Sequence, residues 1–190
     1  MDRRQALYQT SLLLGGTFIG AEAILSGCAP RNQSSAKSAL FQAGDEALLD
    51  GIADTILPDT TGSPGAKQAG AGAFMMLIVE DCYAEEQQKI FVEGLKKILA
   101  ESQTQFNNSF NALNAVQRHE LLTAMDKTAA AYESSKANDA PPHPFSLIKQ
   151  LATFAYFSSE IGMTKALRYN PIPGRFDGCV EYKVGEKAWA

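Results

Sequence analysis

Apolar residues recur with helical spacing from about residue 43 onward, and no stretch alternates cleanly in the manner of a β-strand. The first such stretch predicts a helix over residues 43–57. Asp45 and Glu46 fall in its first turn, where the helix dipole favours negative charge, and Pro58 ends it. Its apolar face is formed by Leu48, Leu49, Ile52, Ala53, Ile56 and Leu57.

The same periodicity predicts four further helices, at residues 66–83, 85–104, 115–136 and 144–166. The last of them is apolar most of the way round, which predicts a central position. The fold class expected is therefore all-α, a single compact domain of about five helices. The residues expected to face inward are Phe74, Met75, Leu77, Ile78 and Cys82 (with Asp81 as an acidic exception), Ile90, Phe91, Leu95, Ile98 and Leu99, Leu121, Leu122 and Met125, and Phe145, Ile148, Leu151, Phe154, Ala155, Phe157 and Ile161.

Two polar side chains stand where helix caps are expected. Asn114 precedes the fourth helix and is of a residue type that caps helix N-termini well. His143 lies in a proline-rich break before the fifth helix and is predicted to cap it. His119 belongs to a polar stretch and is expected to be solvated.

The chain changes character after residue 166, where prolines and glycines follow one another closely. This composition predicts an extended C-terminal tail rather than another helix. The tail carries four aromatic residues that need a surface to bury against. It either wraps around its own helices or docks on a partner, since aromatic residues also anchor interfaces.

Residues 1–27 have the order of features found in a bacterial export signal. Arg3 and Arg4 stand in a short polar segment, and an apolar run follows at residues 11–21. The run is too short for a transmembrane helix, which needs about 20 apolar residues. The paired arginines favour the twin-arginine route, which exports folded proteins, with an ordinary Sec signal as the alternative.

A lipid-attachment motif ends this signal. Small residues precede Cys28 in the sequence Leu25, Ser26, Gly27, Cys28, the pattern of a lipobox whose cysteine is lipidated and becomes the new N-terminus. The residues that follow are small and polar, as in a flexible linker. The chain is thus divided into a signal peptide at 1–27, a tether at 28–42 and a helical domain at 43–190.

Composition and charge narrow the classes of protein further. Of the 190 residues, 45% are apolar and 20% are charged, which is ordinary for a globular domain. The formal net charge of −4 offers no basic stripe for nucleic acid. We therefore expect no nucleic-acid partner.

The two cysteines left after lipidation, Cys82 and Cys179, have no evident catalytic setting. In an oxidising periplasm they could form a disulfide that fixes the tail to the second helix, or remain as two separate buried thiols. A catalytic cysteine needs a nearby base, and nothing in the spacing brings His119 or His143 to either thiol.

Other signs of catalysis are scarce. No metal-ligand spacing is present, and the glycines near residue 70 follow no strand, so they do not form a dinucleotide fingerprint. Carboxylates near the apolar faces are expected to form structural salt bridges with Arg168 or Arg175; they are Asp54, Asp81 and Glu160. These features favour an accessory or binding role over catalysis, with no catalytic, metal or cofactor-binding residue.

Residues 49–58, the glycine- and proline-rich residues 62–66, residues 91–95 and the last residues 188–190 are similar in order and type to segments of one known family. They resemble the gluconate 2-dehydrogenase subunit 3 family, whose opening corresponds to residues 49–66. The resemblance is strongest over residues 157–169, and residues 171–179 resemble the family's closing motif. Together the similarity spans roughly residues 45–190.

The resemblance implies a non-catalytic small subunit. Members accompany a large flavoprotein of the glucose–methanol–choline oxidoreductase type, which carries FAD and oxidises a sugar, sugar acid or polyol, and a multihaem cytochrome c often takes the electrons. The large partner would be exported on the folded small subunit. The lipobox adds a lipid anchor on the periplasmic side of a bacterial membrane. The alternative is a stand-alone periplasmic lipoprotein with a ligand-binding or scaffolding role.

Partner-binding residues are expected in the fifth helix and the tail, where arginine and tyrosine are typical interface anchors. An intramolecular clamp, in which Arg168 and Arg175 neutralise Glu160 and Asp177, is the alternative for the charged members of this set. The predicted set is Tyr156, Glu160, Arg168, Tyr169, Arg175, Phe176 and Asp177.

Overall fold

The computed structural model describes residues 40–176, 178–181 and 183–189. Within these residues the chain forms five α-helices, which confirms the all-α prediction. A short 3₁₀ turn at Phe110–Ala112 and a π-helical turn at Gly162–Ala166 complete the regular structure. The predicted signal peptide and most of the tether lie outside the described residues. The helices are α1 (Asp45–Ile56), α2 (Ala71–Cys82), α3 (Glu85–Phe106), α4 (Ala115–Ser135) and α5 (Pro144–Ser158).

Helix α5 is the central element, because each of the other four helices packs against it. Helix α3 crosses it closely at Gly94, where an added Cβ would lie 2.8 Å from the Ile148 side chain and 3.0 Å from Pro144. The central position predicted from its apolar circumference is confirmed. None of the helices in the described part of the chain has the length and apolar character needed to cross a membrane.

Helix α2 begins at Ala71 rather than at residue 66. Gly70 precedes it with a φ of +69°, a left-handed conformation that favours glycine. The carboxylate of Asp50 in α1 accepts the backbone N–H of Gly72 at 2.8 Å and so caps α2 from a neighbouring helix. A side chain at residue 72 would clash, because its Cβ would lie 2.6 Å from both Asp50 Oδ1 and the carbonyl oxygen of Glu46. The start of α2 is therefore set by its contact with α1.

Helix α5 ends at Ser158, not at residue 166 as predicted. The hydroxyl group of Ser159 donates to the carbonyl of Tyr156 at 2.6 Å and accepts the N–H of Gly162 at 3.0 Å. These two bonds break the α-helical ladder, and the chain resumes as the π-helical turn. Turns of this kind are rare and occur frequently at functional sites.

The packed domain begins before residue 43, contrary to the predicted boundary. Phe41, placed in the tether by the sequence, is buried, and its ring meets that of Phe91 edge-on at 6.2 Å. Aromatic burial of this kind draws the end of an otherwise polar segment into the core.

Some apolar residues predicted to face inward are exposed instead. They are Leu77, Leu99 and Phe154, together with Cys82 and the acidic Asp81. The ring of Phe154 lies at the surface, 55% exposed, and contacts that of Phe74 at 6.0 Å. The remaining inward residues are buried or partly buried. A helical period gives the direction of the apolar face, but neighbouring helices decide how much of that face is covered.

Both predicted helix caps are confirmed. Asn114 accepts the N–H of Gln117 at 2.9 Å and caps α4. His143 caps α5, because its Nδ1 accepts the N–H of Phe145 at 3.2 Å. His119 is exposed, as expected.

His143 also ties α5 to α4. Its backbone N–H donates to Glu133 Oε1 at 2.7 Å, and this bond is the main reason why the pKa of Glu133 is lowered. Burial lowers the pKa of His143 itself, and the positive charge of Lys97 lowers it further, whereas Glu133 acts in the opposite direction. The folded state therefore favours the neutral imidazole, which is the form that can accept the bond from Phe145.

We expect the domain to lose stability as the pH falls from about 7 to about 5. The unfolded chain binds a proton on His143 more readily than the folded chain, so this contribution is complete above the unfolded pKa of about 6.5 and is lost below it. Glu133 adds a second loss below its unfolded pKa of about 4.5, because its folded pKa is lowered. Urea unfolding midpoints between pH 5 and pH 7.5 measure the effect.

The control is His143→Asn, which keeps a capping acceptor without a titrating ring. This variant should flatten the stability profile between pH 5 and pH 7. An equally steep profile in the variant would assign the pH dependence to other groups.

Candidate functional site

The loop at residues 58–65 is held against the end of α5. The Tyr156 hydroxyl donates to the carbonyl of Pro64 at 2.8 Å and shares a short hydrogen bond with the Ser63 hydroxyl. Tyr156 is only 4% exposed, and both bonds are partly shielded from solvent. Within the loop, the carboxylate of Asp59 accepts the N–H of Gly65. The loop is therefore a rigid part of the domain surface.

The end of the tail folds back onto this loop and onto the π-helical turn after α5. The N–H of Arg168 donates to the carbonyl of Ala188 at 2.8 Å, and its guanidinium lies over the Trp189 ring, 4.1 Å from the centroid. Glu186 pairs with the guanidinium at 3.5 Å. Lys187 donates to the carbonyls of Gly62 and Lys165. We call Arg168, Glu186, Lys187 and Trp189 the clasp, since they fasten the tail to the domain.

Between Arg168 and the rest of the clasp lies a segment that we call the strap, of which the structure describes residues 169–176, 178–181 and 183–185. Its apolar side chains are largely in solvent: Ile172 is 82% exposed, and Phe176 and Val184 are each 95% exposed. Gly174 and Gly185 have φ values of +71° and +89°, which allow the chain to turn. The end of the tail therefore wraps its own domain, whereas the apolar side chains in its middle are uncovered, and docking on a partner stays a prediction.

An open cavity of about 310 Å³ lies beside the clasp. The loop, the end of α5 and the π-helical turn all contribute to its walls, and Lys187 of the clasp borders it. Residues that line it include Leu57, Pro58, Tyr156, Phe157, Ala166 and Lys187. The loop and the cavity therefore form one surface, and Lys187 of the clasp lies at its edge, two residues beyond the end of the strap.

A comparison with known protein families shows to which family this chain belongs. A family model described as Gluconate 2-dehydrogenase subunit 3 matches residues 43–174, well over half of the chain. The chain belongs to the gluconate 2-dehydrogenase subunit 3 family. Searches of curated proteins and of solved structures returned no match. The resemblance seen in the sequence is therefore confirmed at the level of the family.

The matched range divides the surface of this subunit 3 protein. It includes the loop, Tyr156, the π-helical turn and Arg168, and it ends at Gly174 inside the strap. The partners of Arg168 in the clasp lie beyond the match. The core of the site therefore belongs to the family domain, and the clasp adds contacts from the last residues of the chain.

The predicted partner-binding residues lie in three different settings. Tyr156 is buried, and its hydroxyl is used within the chain. Arg168 is half-exposed and belongs to the clasp. Asp177 lies outside the described residues. Side chains open to solvent are those of Glu160, Tyr169, Arg175 and Phe176.

Arg168 pairs with a carboxylate other than those that the sequence analysis proposed for it. Its ion-pair partner is Glu186, which the sequence analysis did not select, whereas Glu160 and Asp81 are exposed. The guanidinium keeps one buried polar atom, Nε, without a hydrogen-bond partner among the described residues. Ser63, Lys187 and Trp189 were also missed; each meets its partner across a long stretch of sequence, which no local pattern records.

The two thiols do not form the disulfide that the sequence left open. Cys82 and Cys179 are both free and exposed. The alternative of two buried thiols is also wrong, because both lie at the surface. Within the described residues, no group of three or more His, Cys, Asp or Glu side chains is placed to hold a metal ion.

Removing the Tyr156 hydroxyl should loosen the loop. We expect Tyr156→Phe to lower the free energy of unfolding by about 1 kcal/mol, because the partly buried Pro64 carbonyl and Ser63 hydroxyl each lose a partner. Urea unfolding followed by far-UV circular dichroism gives the value. Tyr132→Phe is the matched control, since Tyr132 donates to the carbonyl of Pro141 at an exposed site. Equal losses in the two variants would contradict a special role for the loop contact.

Proposed function

We propose that this protein is the non-catalytic small subunit of an exported FAD-dependent dehydrogenase. The large partner would be a flavoprotein of the glucose–methanol–choline type that oxidises a sugar, sugar acid or polyol. The observation that carries the proposal is the match to the gluconate 2-dehydrogenase subunit 3 family over residues 43–174. FAD belongs to the large subunit, and a multihaem cytochrome c is the proposed electron acceptor.

The small subunit would act in folding, export and membrane attachment of the flavoprotein. Arg3 and Arg4 supply the twin-arginine signal, which suits a partner that must be folded around FAD before export. Cys28 supplies the lipid anchor after cleavage. The complex would then sit on the periplasmic side of the membrane. One acylated cysteine with a diacylglyceryl group and a further chain holds a protein firmly at a lipid surface.

The proposal is tested on the tagged, full-length protein purified from the membranes of its own host. We expect a large flavin-bearing chain in near-equal amount, seen by gel electrophoresis and by flavin absorbance of the eluate. Detergent should release the complex from the membranes, whereas a high-salt wash should not. A colourless single chain would refute the accessory role and favour a stand-alone lipoprotein. Release by salt alone would refute the lipid anchor.

A further inference from the structure

We infer that the strap and the adjoining cavity form the docking surface for the large dehydrogenase subunit. This inference rests on the proposed function and adds the location of the contact. It separates the predicted partner-binding residues into those that face a partner and those, such as Tyr156, that only support the surface.

The exposure of the strap is the first argument. Ile172, Phe176 and Val184 are 82% to 95% exposed, although each would gain free energy by leaving water. Single exposed apolar residues are common on protein surfaces, but several in one extended segment indicate an interaction site. Tyr169 precedes these residues in the chain and Arg175 lies between Ile172 and Phe176, and both are of the types enriched in interface anchors.

The clasp is the second argument, because it holds the strap at both ends. Arg168 precedes the strap, and the Arg168–Ala188 hydrogen bond and the Arg168–Trp189 stacking bring the chain back immediately after it. A segment fixed at its ends loses less conformational freedom on binding than a free tail. None of the strap residues that the structure describes is buried in the core, so the clasp holds in place a segment that adds nothing to core packing there.

The cavity is the third argument. It offers a concave, mostly apolar surface directly beside Lys187, the residue that pins the end of the tail. Protein interfaces are strongest where an anchor side chain of one partner fills a pocket of the other. The strap can therefore insert its apolar side chains into the partner, while the cavity receives an anchor side chain of the partner.

The choice of occupant follows from the family. The chain is one subunit of a dehydrogenase, so a different kind of chain must meet it somewhere. The family match reaches Gly174 and so includes the lining of the cavity except Lys187, together with the first part of the strap. Another apolar surface lies around Phe154 and borders a larger cavity of about 580 Å³, but Phe154 packs on Phe74 and is 55% exposed, less than Ile172, Phe176 and Val184. The strap and cavity are thus the favoured contact for the flavoprotein.

The test compares two tagged full-length variants in their own host. The first carries Ile172→Ser and Phe176→Ser in the strap, and the matched control carries Leu77→Ser on the exposed face of α2. The measured quantity is flavin absorbance per mole of tagged protein purified from membranes. We expect at least a tenfold loss for the strap variant, as for the removal of interface anchors, and less than a twofold change for the control.

Three outcomes separate the possibilities. If the strap variant retains the flavoprotein, or if only Leu77→Ser loses it, the inference is wrong and the proposed function stands. If the unsubstituted protein carries no flavoprotein, the proposed function itself fails. Light scattering on the purified chain tests whether a second copy of this chain binds the surface instead of the flavoprotein. A dimer that dissociates in the strap variant would overturn the inference. Unchanged thermal unfolding of the variant excludes misfolding as the cause of lost binding.

Discussion

Replacing Gly162 by alanine should lower the free energy of unfolding by about 3 kcal/mol or more. An added Cβ would overlap the carbonyl oxygen of Tyr156 and lie 3.0 Å from Phe157 Cα. Both are backbone atoms, so no change of side-chain rotamer relieves the clash. The π-helical turn would have to move away from α5, and with it the residues that lead to the clasp.

Equilibrium urea unfolding of the full chain measures this effect. Gly62→Ala is the matched control, because a Cβ at that exposed loop position meets nothing within 4 Å. The control should stay within about 0.5 kcal/mol of the parent. A Gly162→Ala variant as stable as the control would show that the close approach to Tyr156 is not needed for folding.

Phe91→Ala should also be severely destabilising, by about 3–5 kcal/mol. The Phe91 ring is fully buried and meets the rings of Phe41 and Tyr83 edge-on, at 6.2 Å and 6.4 Å. Truncation removes these contacts and leaves a cavity that the surrounding helices cannot close completely. Because Phe41 lies at the start of the domain, the variant should also loosen the junction with the tether.

Phe154→Ala provides the comparison, since the helical pattern assigned both phenylalanines to inward faces. The Phe154 side chain is half-exposed, so its loss should lower the free energy of unfolding by no more than about 1 kcal/mol. Thermal or urea unfolding of both variants measures the two losses of stability. Similar losses at the two positions would mean that Phe154 is covered in solution.

If these expectations hold, the domain separates stability from partner binding. The residues that fix the fold, such as Phe91 and Gly162, lie beneath the surface. The apolar residues of the strap are outside the core and can be changed without unfolding it. This arrangement would allow the proposed small subunit to fold first and to bind its large partner afterwards.

The sequence alone determined the fold class, the five α-helices of the part of the chain that the structure describes, and the family. Helical periodicity is a local property, so the direction of each apolar face can be read from neighbouring residues. Helix caps are local as well, which is why Asn114 and His143 were assigned correctly. The family resemblance rested on the order of residue types near residues 49–58 and 157–169, and it needed no coordinates.

Tertiary structure decided the features that depend on distant parts of the chain. The start of α2 is set by Asp50 of α1, and the loop is held by Tyr156, more than ninety residues away from Ser63. The partner of Arg168 is Glu186, which only the return of the tail brings close. How much of Phe154 is covered depends on the helices around α5. Such contacts arise from packing between elements, and packing leaves no periodic pattern in the sequence of either element.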